Sequence, residues 1–189
     1  MTAMTTGVRN LAAAPVTVVV LTGSQAGQVA SGLTRELREL AAAAFSGPPW
    51  SETPAQARQL TDRLLADAHL PHFVLAFAFT GSGPGLTGFS YGVPRRPAPG
   101  SPADQLIPAG TEAFEFCELA VRPSGQRRGT GRALHDAVLT ASGPQPRWLG
   151  THPGAQSAVR LYRAAGWQTR RLVTSPASGS PRLLMTRSR

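Results

Sequence analysis

The chain contains no lysine: every one of the 19 basic residues among its 189 is arginine. A Walker phosphate loop needs a lysine before its Ser or Thr, so that class of nucleotide site is excluded. There is one cysteine, Cys117, which rules out an internal disulfide and any site built from several cysteines. It sits in an apolar stretch, where a buried core thiol is the expected reading. Aromatic residues are 6% of the chain, and no basic run exceeds two residues. With neither a base-stacking aromatic motif nor zinc-finger spacing, the net charge of +9 is not read as a nucleic-acid surface. The abundance of Ala, Arg, Gly and Pro points instead to a GC-rich coding source. No apolar run reaches transmembrane length; the stretch from Pro15 to Leu21 is far too short. Arg9 is not followed by the apolar region of a signal peptide, so the expected location is the cytoplasm, away from a membrane.

What is present suffices for one domain with a sizeable core: hydrophobic residues make up 41% of the chain. Residues 1–14 read as a mobile tail and residues 15–189 as the domain. Val16 to Leu21 is a β-branched strand, and Gln28 to Phe45 an amphipathic helix with Leu33, Leu37, Leu40, Ala41 and Ala44 on one face. The Gly47-Pro48-Pro49-Trp50 turn breaks it. Thr53 and Gln56 then form a capping-box pattern around Pro54, starting a helix that runs to about His69. Phe73–Thr80 and Leu86–Val93 read as a hairpin joined at Ser82-Gly83-Pro84-Gly85. Within it, Gly88-Phe89-Ser90-Tyr91-Gly92 has the spacing of a hydrolase nucleophile elbow. That elbow requires a helix immediately afterwards, and the proline-rich run from Val93 to Gly100 forbids one. The Arg95–Gly110 segment is read as a long loop.

The centre of the chain is Phe114 to Ala141. Phe114–Val121 suits a strand carrying two carboxylates, Glu115 and Glu118. Pro123 and Gly125 punctuate it, and Leu134, Ala137, Val138 and Ala141 mark the next helix. A glycine-bearing turn that opens a helix presents amides and a positive dipole end to an anion. The dinucleotide fingerprint fails, because Leu134 stands where its third glycine belongs. What remains is Gln126-x-x-Gly129-x-Gly131. After it come a short strand, Arg147–Thr151, a helix from Ala155 to Ala165 ended by Gly166, and two last strands, Trp167–Thr174 and Arg182–Thr186.

Two motifs together resemble a known family. Gln126-x-x-Gly129-x-Gly131 after Leu119-Ala120-Val121 resembles the coenzyme A signature of the GCN5-related N-acetyltransferases. Ala158-x-x-Leu161-Tyr162-x-x-x-Gly166-Trp167 resembles their second signature, in the right order and at the right distance. The resemblance covers about residues 15–189 and is similar to acetyltransferases of high-GC bacteria. It implies an α/β (α+β) fold: a mixed, mostly antiparallel sheet of about seven strands flanked by about four helices and splayed between the fourth and fifth strands.

It also implies acetyl-CoA as co-substrate, no metal, and a small-molecule or peptide amine as acceptor, in a monomer or homodimer. Leu119, Ala120 and Val121 would hold the pantetheine arm. Gln126, Arg127, Arg128, Gly129, Thr130, Gly131 and Arg132 would hold the pyrophosphate, and Tyr162 would be the general acid. Glu115, Glu118 or a water relay would supply the base, and an odd separation sends those two carboxylates to opposite faces of a regular strand unless a bulge intervenes. Trp50 and Tyr91 are the candidate acceptor contacts, and His152 could assist. Gly150 and Ala155 depart from side chains that other members carry at those places. The alternative is an acyl-CoA-binding module without turnover. Without lysine, the protein cannot acetylate lysine side chains of its own.

Overall fold

A computed structural model describes residues 16–80, 85–108, 110–175 and 179–188. The expected tail at 1–14 and most of the hairpin turn at 82–85 lie outside these. Among the described residues, seven strands form one sheet in the order β1-β2-β3-β4-β5-β7-β6. They are β1 (Val16–Thr22), β2 (Val74–Thr80), β3 (Leu86–Arg95), β4 (Ala113–Val121), β5 (Arg147–Thr151), β6 (Gln168–Thr174) and β7 (Pro181–Arg187). All neighbouring pairs are antiparallel except β4 with β5.

Among the described residues, five α-helices flank the sheet: α1 (Gly23–Gly32), α2 (Thr34–Phe45), α3 (Pro54–Asp67), α4 (Thr130–Ala141) and α5 (Gln156–Ala164). The single first helix expected from the periodicity is two, because the chain leaves helical geometry at Leu33 (φ −106°, ψ 18°) directly after Gly32. The Thr34 hydroxyl donates to the Ser31 carbonyl at 2.8 Å across this break, giving a side-chain partner to a carbonyl at the end of α1. α3 begins as its sequence dictates. The Thr53 hydroxyl accepts from the Gln56 amide, Gln56 Oε1 accepts from the Thr53 amide at 2.8 Å, and Pro54 fills the first turn. α4 ends under Arg147, whose guanidinium donates to the carbonyls of Leu139 and Gly143 at 3.2 and 2.6 Å, a cation at the negative end of the helix.

Two cores lie on opposite faces of the sheet. α1, α2 and α3 bury Leu37, Leu40 and Leu64 against Leu75, Phe77, Phe89 and Val93. α4 and α5 bury Leu134, Val138 and Tyr162 against Ala76, Phe114, Phe116 and Leu149. Strand β3 runs on past the expected Val93 to Arg95. Pro94 is tolerated there because β2 stops pairing at Gly92, so the missing N–H faces no partner on that side.

Strand β4 departs from regular pairing on both of its edges. It pairs with β5 only at Phe114↔Arg147 and Glu115↔Trp148, so its last residues leave that neighbour and the sheet splays open. Its register with β3 also slips: Gly92 faces Phe116 but Tyr91 faces Glu118, leaving Cys117 as the extra residue of a bulge.

Candidate active site

The bulge decides where the carboxylates point. Phe116, Leu119 and Val121 pack toward α4 and α5, whereas Cys117 and Ala120 pack toward α1–α3. Glu115 and Glu118 share the latter side and line one cavity of about 410 Å³ with Arg63, Arg95, Trp148, Gly150 and Arg182. The bulge is held from β3: the buried Ser90 hydroxyl donates to the Glu118 carbonyl at 2.8 Å. The serine of the elbow-like motif is therefore a strand hydroxyl with a backbone partner, in a strand that continues straight through it.

The two carboxylates differ. Glu115 is clamped: its Oε1 accepts from Arg63 Nη2 at 3.0 Å and its Oε2 lies 3.0 Å from Arg95 Nε. Asp67 closes the square, 2.6 Å from Arg95 Nη2 and 3.7 Å from Arg63 Nε. Glu118 has no hydrogen bond to its carboxylate among the described residues, and burial pushes its carboxyl up to about 7 against the pull of Arg63 and Arg182. Cys117 between them has its thiol pushed well above the usual range by burial, then by Glu115, which suits a core thiol rather than a nucleophile.

A second cleft, about 560 Å³, opens on the other side of the splay. Leu119 and Val121 of β4, the Gln126–Arg132 turn, the first half of α5 and the Pro48-Pro49-Trp50 turn form its walls. Gly129 caps α4 in the left-handed region (φ 83°), where a β-carbon is strained. The first bond of α4 runs from the Ala133 amide to the Gly129 carbonyl at 3.0 Å. The amides of Thr130, Gly131 and Arg132 therefore have no acceptor within the helix. A β-carbon on Gly131 would meet Leu161, Val121 and Leu119 at 3.5–4.0 Å, ordinary contact with side chains that line the cleft. Free amides, a helix N-terminus and Arg127 and Arg132 on the wall fit a diphosphate.

The other expected residues fall in different places. Gln126 lines the cleft, but its side-chain amide donates to the Val121 carbonyl at 3.0 Å, tying the turn to the strand end. Thr130 is buried, its hydroxyl donating to the Gly125 carbonyl at 3.0 Å, so it braces the loop from beneath. Arg128 and Ala120 line neither cavity. Trp50 lines the cleft and meets Phe45 and the His152 ring edge-on, at 5.7 and 5.6 Å between centroids.

Tyr91 is placed elsewhere than an acceptor contact would require. It is fully buried against Phe73, its hydroxyl donating to Asp67 at 3.4 Å, and it lines neither cavity. It shares a face with its cross-strand partner Glu118, but Phe73 and, from α3, Asp67 cover the ring and hydroxyl.

Tyr162 is 6% exposed and lines neither cavity. Its ring stands edge-on to Phe116 with centroids 6.0 Å apart. Burial first and Glu118 second raise its hydroxyl above the ordinary range, so it stays protonated at neutral pH. Below it a polar chain braces α4: the Trp167 indole N–H donates to His135 Nε2 at 2.9 Å, and His135 Nδ1 donates to Asp136 at 2.8 Å. Burial keeps that histidine neutral. Asp136 in turn is 2.6 Å from Arg132 on the cleft wall.

Sequence reasoning did not single out Arg63, Arg95 and Arg182, nor Ser157 and Arg160 of α5. Arginines scattered over three separate elements carry no local spacing signal.

The geometry has counterparts among known proteins. A model of the acetyltransferase (GNAT) family matches residues 34–167. A mycothiol acetyltransferase from Salinispora tropica is 50% identical over 70 residues, a match that covers 34% of this chain and 23% of that protein. The chain thus aligns with less than a quarter of that relative's length. A structure described as histone acetyltransferase HPA2 and related acetyltransferase, from Corynebacterium glutamicum, superposes with a TM-score of 0.64 at 18% identity, over 90% of this chain and 96% of that one. A PaiA N-acetyltransferase from Thermoplasma acidophilum, in complex with coenzyme A, gives 0.58 at 16% identity, over 92% and 99%. At such identities the structural likeness speaks to the fold. With the family model spanning most of the chain, the protein belongs to the GNAT family of acetyltransferases.

Proposed function

We propose that the protein is an N-acetyltransferase that moves an acetyl group from acetyl-CoA directly to a primary amine of a small molecule or peptide. One observation carries this reading. The consecutive residues Glu118 and Leu119 line different cavities, one holding a carboxyl without a hydrogen bond and the other the glycine turn at the N-terminus of α4. A donor and an acceptor would approach each other across that single peptide unit.

The coenzyme would be held by the amides of residues 130–132, by Arg127 and Arg132, and by the β4 edge at Leu119–Val121. It supplies the activated acetyl thioester. Glu118 is the proposed base: a carboxyl near 7 is half ionised at neutral pH and can take a proton from an ammonium in the cavity. Tyr162, still protonated, is the proposed acid, its hydroxyl giving a proton to the leaving sulfur. Of the two protons the nitrogen loses, one goes through Glu118 to water and the other replaces the one that Tyr162 gives up. Glu115, hydrogen-bonded by Arg63 and ion-paired with Arg95, is proposed as a positioning residue for the two arginines.

The other reading, coenzyme binding without turnover, is favoured by one fact: Tyr162 lines neither cavity. The experiment is thiol release from acetyl-CoA across a panel of primary amines, with mass spectrometry of the products. N-acetylated product supports transfer. Saturable acetyl-CoA binding with no product on any amine would establish the binding module instead.

A further inference from the structure

The acceptor cavity carries three guanidiniums, from Arg63, Arg95 and Arg182, and they are not equivalent. Arg63 and Arg95 form a closed square with Glu115 and Asp67 at 2.6–3.7 Å, two cations against two carboxylates. Their charge is spent within the protein. Arg182, on β7 across the splay, makes no ion pair with any described residue. Its guanidinium carbon lies 5.1 Å above the Trp50 ring, which orients the planar fork, and it acts on the carboxyls of Glu52 and Glu118 through space without a hydrogen bond to either. The same cavity is lined by Trp148, whose buried indole N–H has no acceptor among the described residues. The charges of the square balance, although Arg95 Nε and Nη2 meet the carboxylates without hydrogen-bond geometry; the cavity then offers one carboxyl without a hydrogen bond, Glu118, and a surplus of donors from Arg182, Trp148 and Arg95.

We infer that the acceptor is an amino acid or a similar small amino-carboxylate, its ammonium directed to Glu118 and its carboxylate to Arg182. This rests on the reading of Glu118 as the base and names the acceptor class for that site. A guanidinium matches a carboxylate through two parallel hydrogen bonds, which an amide or an alcohol cannot reproduce. A monoamine without an anion would leave Arg182 facing its positive charge. An amino-carboxylate satisfies both ends and brings no net charge into the cavity.

The test compares amino acids of differing side chain, and an ω-amino acid, each with its own carboxamide, so that only the anion is lost. Binding to the protein saturated with coenzyme A is read by calorimetry, and turnover by thiol release. The carboxylate forms should bind and turn over roughly tenfold to a hundredfold better than their amides, the value of a hydrogen-bonded charge. Arg182→Gln should erase that preference while acetyl-CoA affinity is retained, and Arg182→Lys should keep part of it. The comparison between the α- and ω-forms reports the spacing between the two ends. Equal binding of acids and amides by the wild type would overturn the inference. So would a loss in Arg182→Gln that is the same for both forms, since that marks a structural role. If binding discriminates but no amine is acetylated, transfer fails while the anion site stands.

Discussion

Glu115 and Glu118 stand on the same side of β4 because Cys117, the extra residue between them, interrupts the two-residue alternation of the strand. Shared orientation has not given them a shared role. One closes a square with two arginines and an aspartate; the other faces the cavity without a hydrogen bond.

Their substitutions should therefore separate. Glu115→Gln leaves Arg63 and Arg95 short of a partner, with Glu115 itself 12% exposed. Because the arginines are partly solvated, the expected stability loss is about 1–3 kcal/mol rather than that of a fully buried pair. Urea unfolding measures it. The turnover number should fall less than tenfold, against roughly a hundredfold or more for Glu118→Gln. Equal losses of turnover would place both carboxylates in the chemistry.

Tyr162→Phe removes the proposed acid and keeps the ring against Phe116. We expect the turnover number to fall about a hundredfold, with acetyl-CoA affinity and melting temperature near wild type. Steady-state kinetics with calorimetry check this. A slow variant that also binds coenzyme weakly would point to packing instead.

Gly129 and Gly131, in the turn into α4, should fail in different ways. Gly129 has φ 83°, so Gly129→Ala should cost about 1–2 kcal/mol of stability. Gly131 has ordinary helical geometry and a β-carbon there finds only ordinary contacts with the cleft-lining Leu161, Val121 and Leu119, so Gly131→Val should still fold yet weaken coenzyme binding at least tenfold by filling the cleft. Thermal melts and calorimetry on the pair distinguish backbone strain from occlusion.

The burial that lifts Glu118 has a thermodynamic signature of definite sign. Its carboxyl stands near 7 when folded, against an ordinary 4.5, so the folded chain binds the proton more tightly than the unfolded one. That contribution to stability is fully present below the lower value and is lost as pH rises through the higher, up to roughly 3 kcal/mol. The melting-temperature difference of Glu118→Gln over wild type should therefore grow from about pH 5 to about pH 8. A difference independent of pH would mean that the carboxyl is not shifted.

Legibility in the sequence depends on where each signal lies. Gln126, Gly129 and Gly131 announce the turn into α4, and Leu161, Tyr162 and Gly166 announce the last helix, because each set falls within a few residues of chain. The bulge carries no such mark. Cys117 is an ordinary strand residue, and only the β3 register, with Ser90 holding the Glu118 carbonyl, displaces it. The square of Arg63, Asp67, Arg95 and Glu115 joins α3, β3 and β4, and no local pattern reports contacts across 52 residues. Tyr91 shows the same blindness: an aromatic residue in a strand reads alike whether it faces a cavity or a core, and here it lies at zero exposure.

The decisive measurement for Glu118 is the pH dependence of the turnover number at saturating amine and acetyl-CoA, in wild type and in Glu118→Gln. The wild-type rate should rise with pH and level off through an ionisation near 7. The variant should be slower by roughly a hundredfold or more and lack that ionisation. A Glu118→Gln protein with the wild-type rate and the same limb would contradict the assignment of Glu118 as the base.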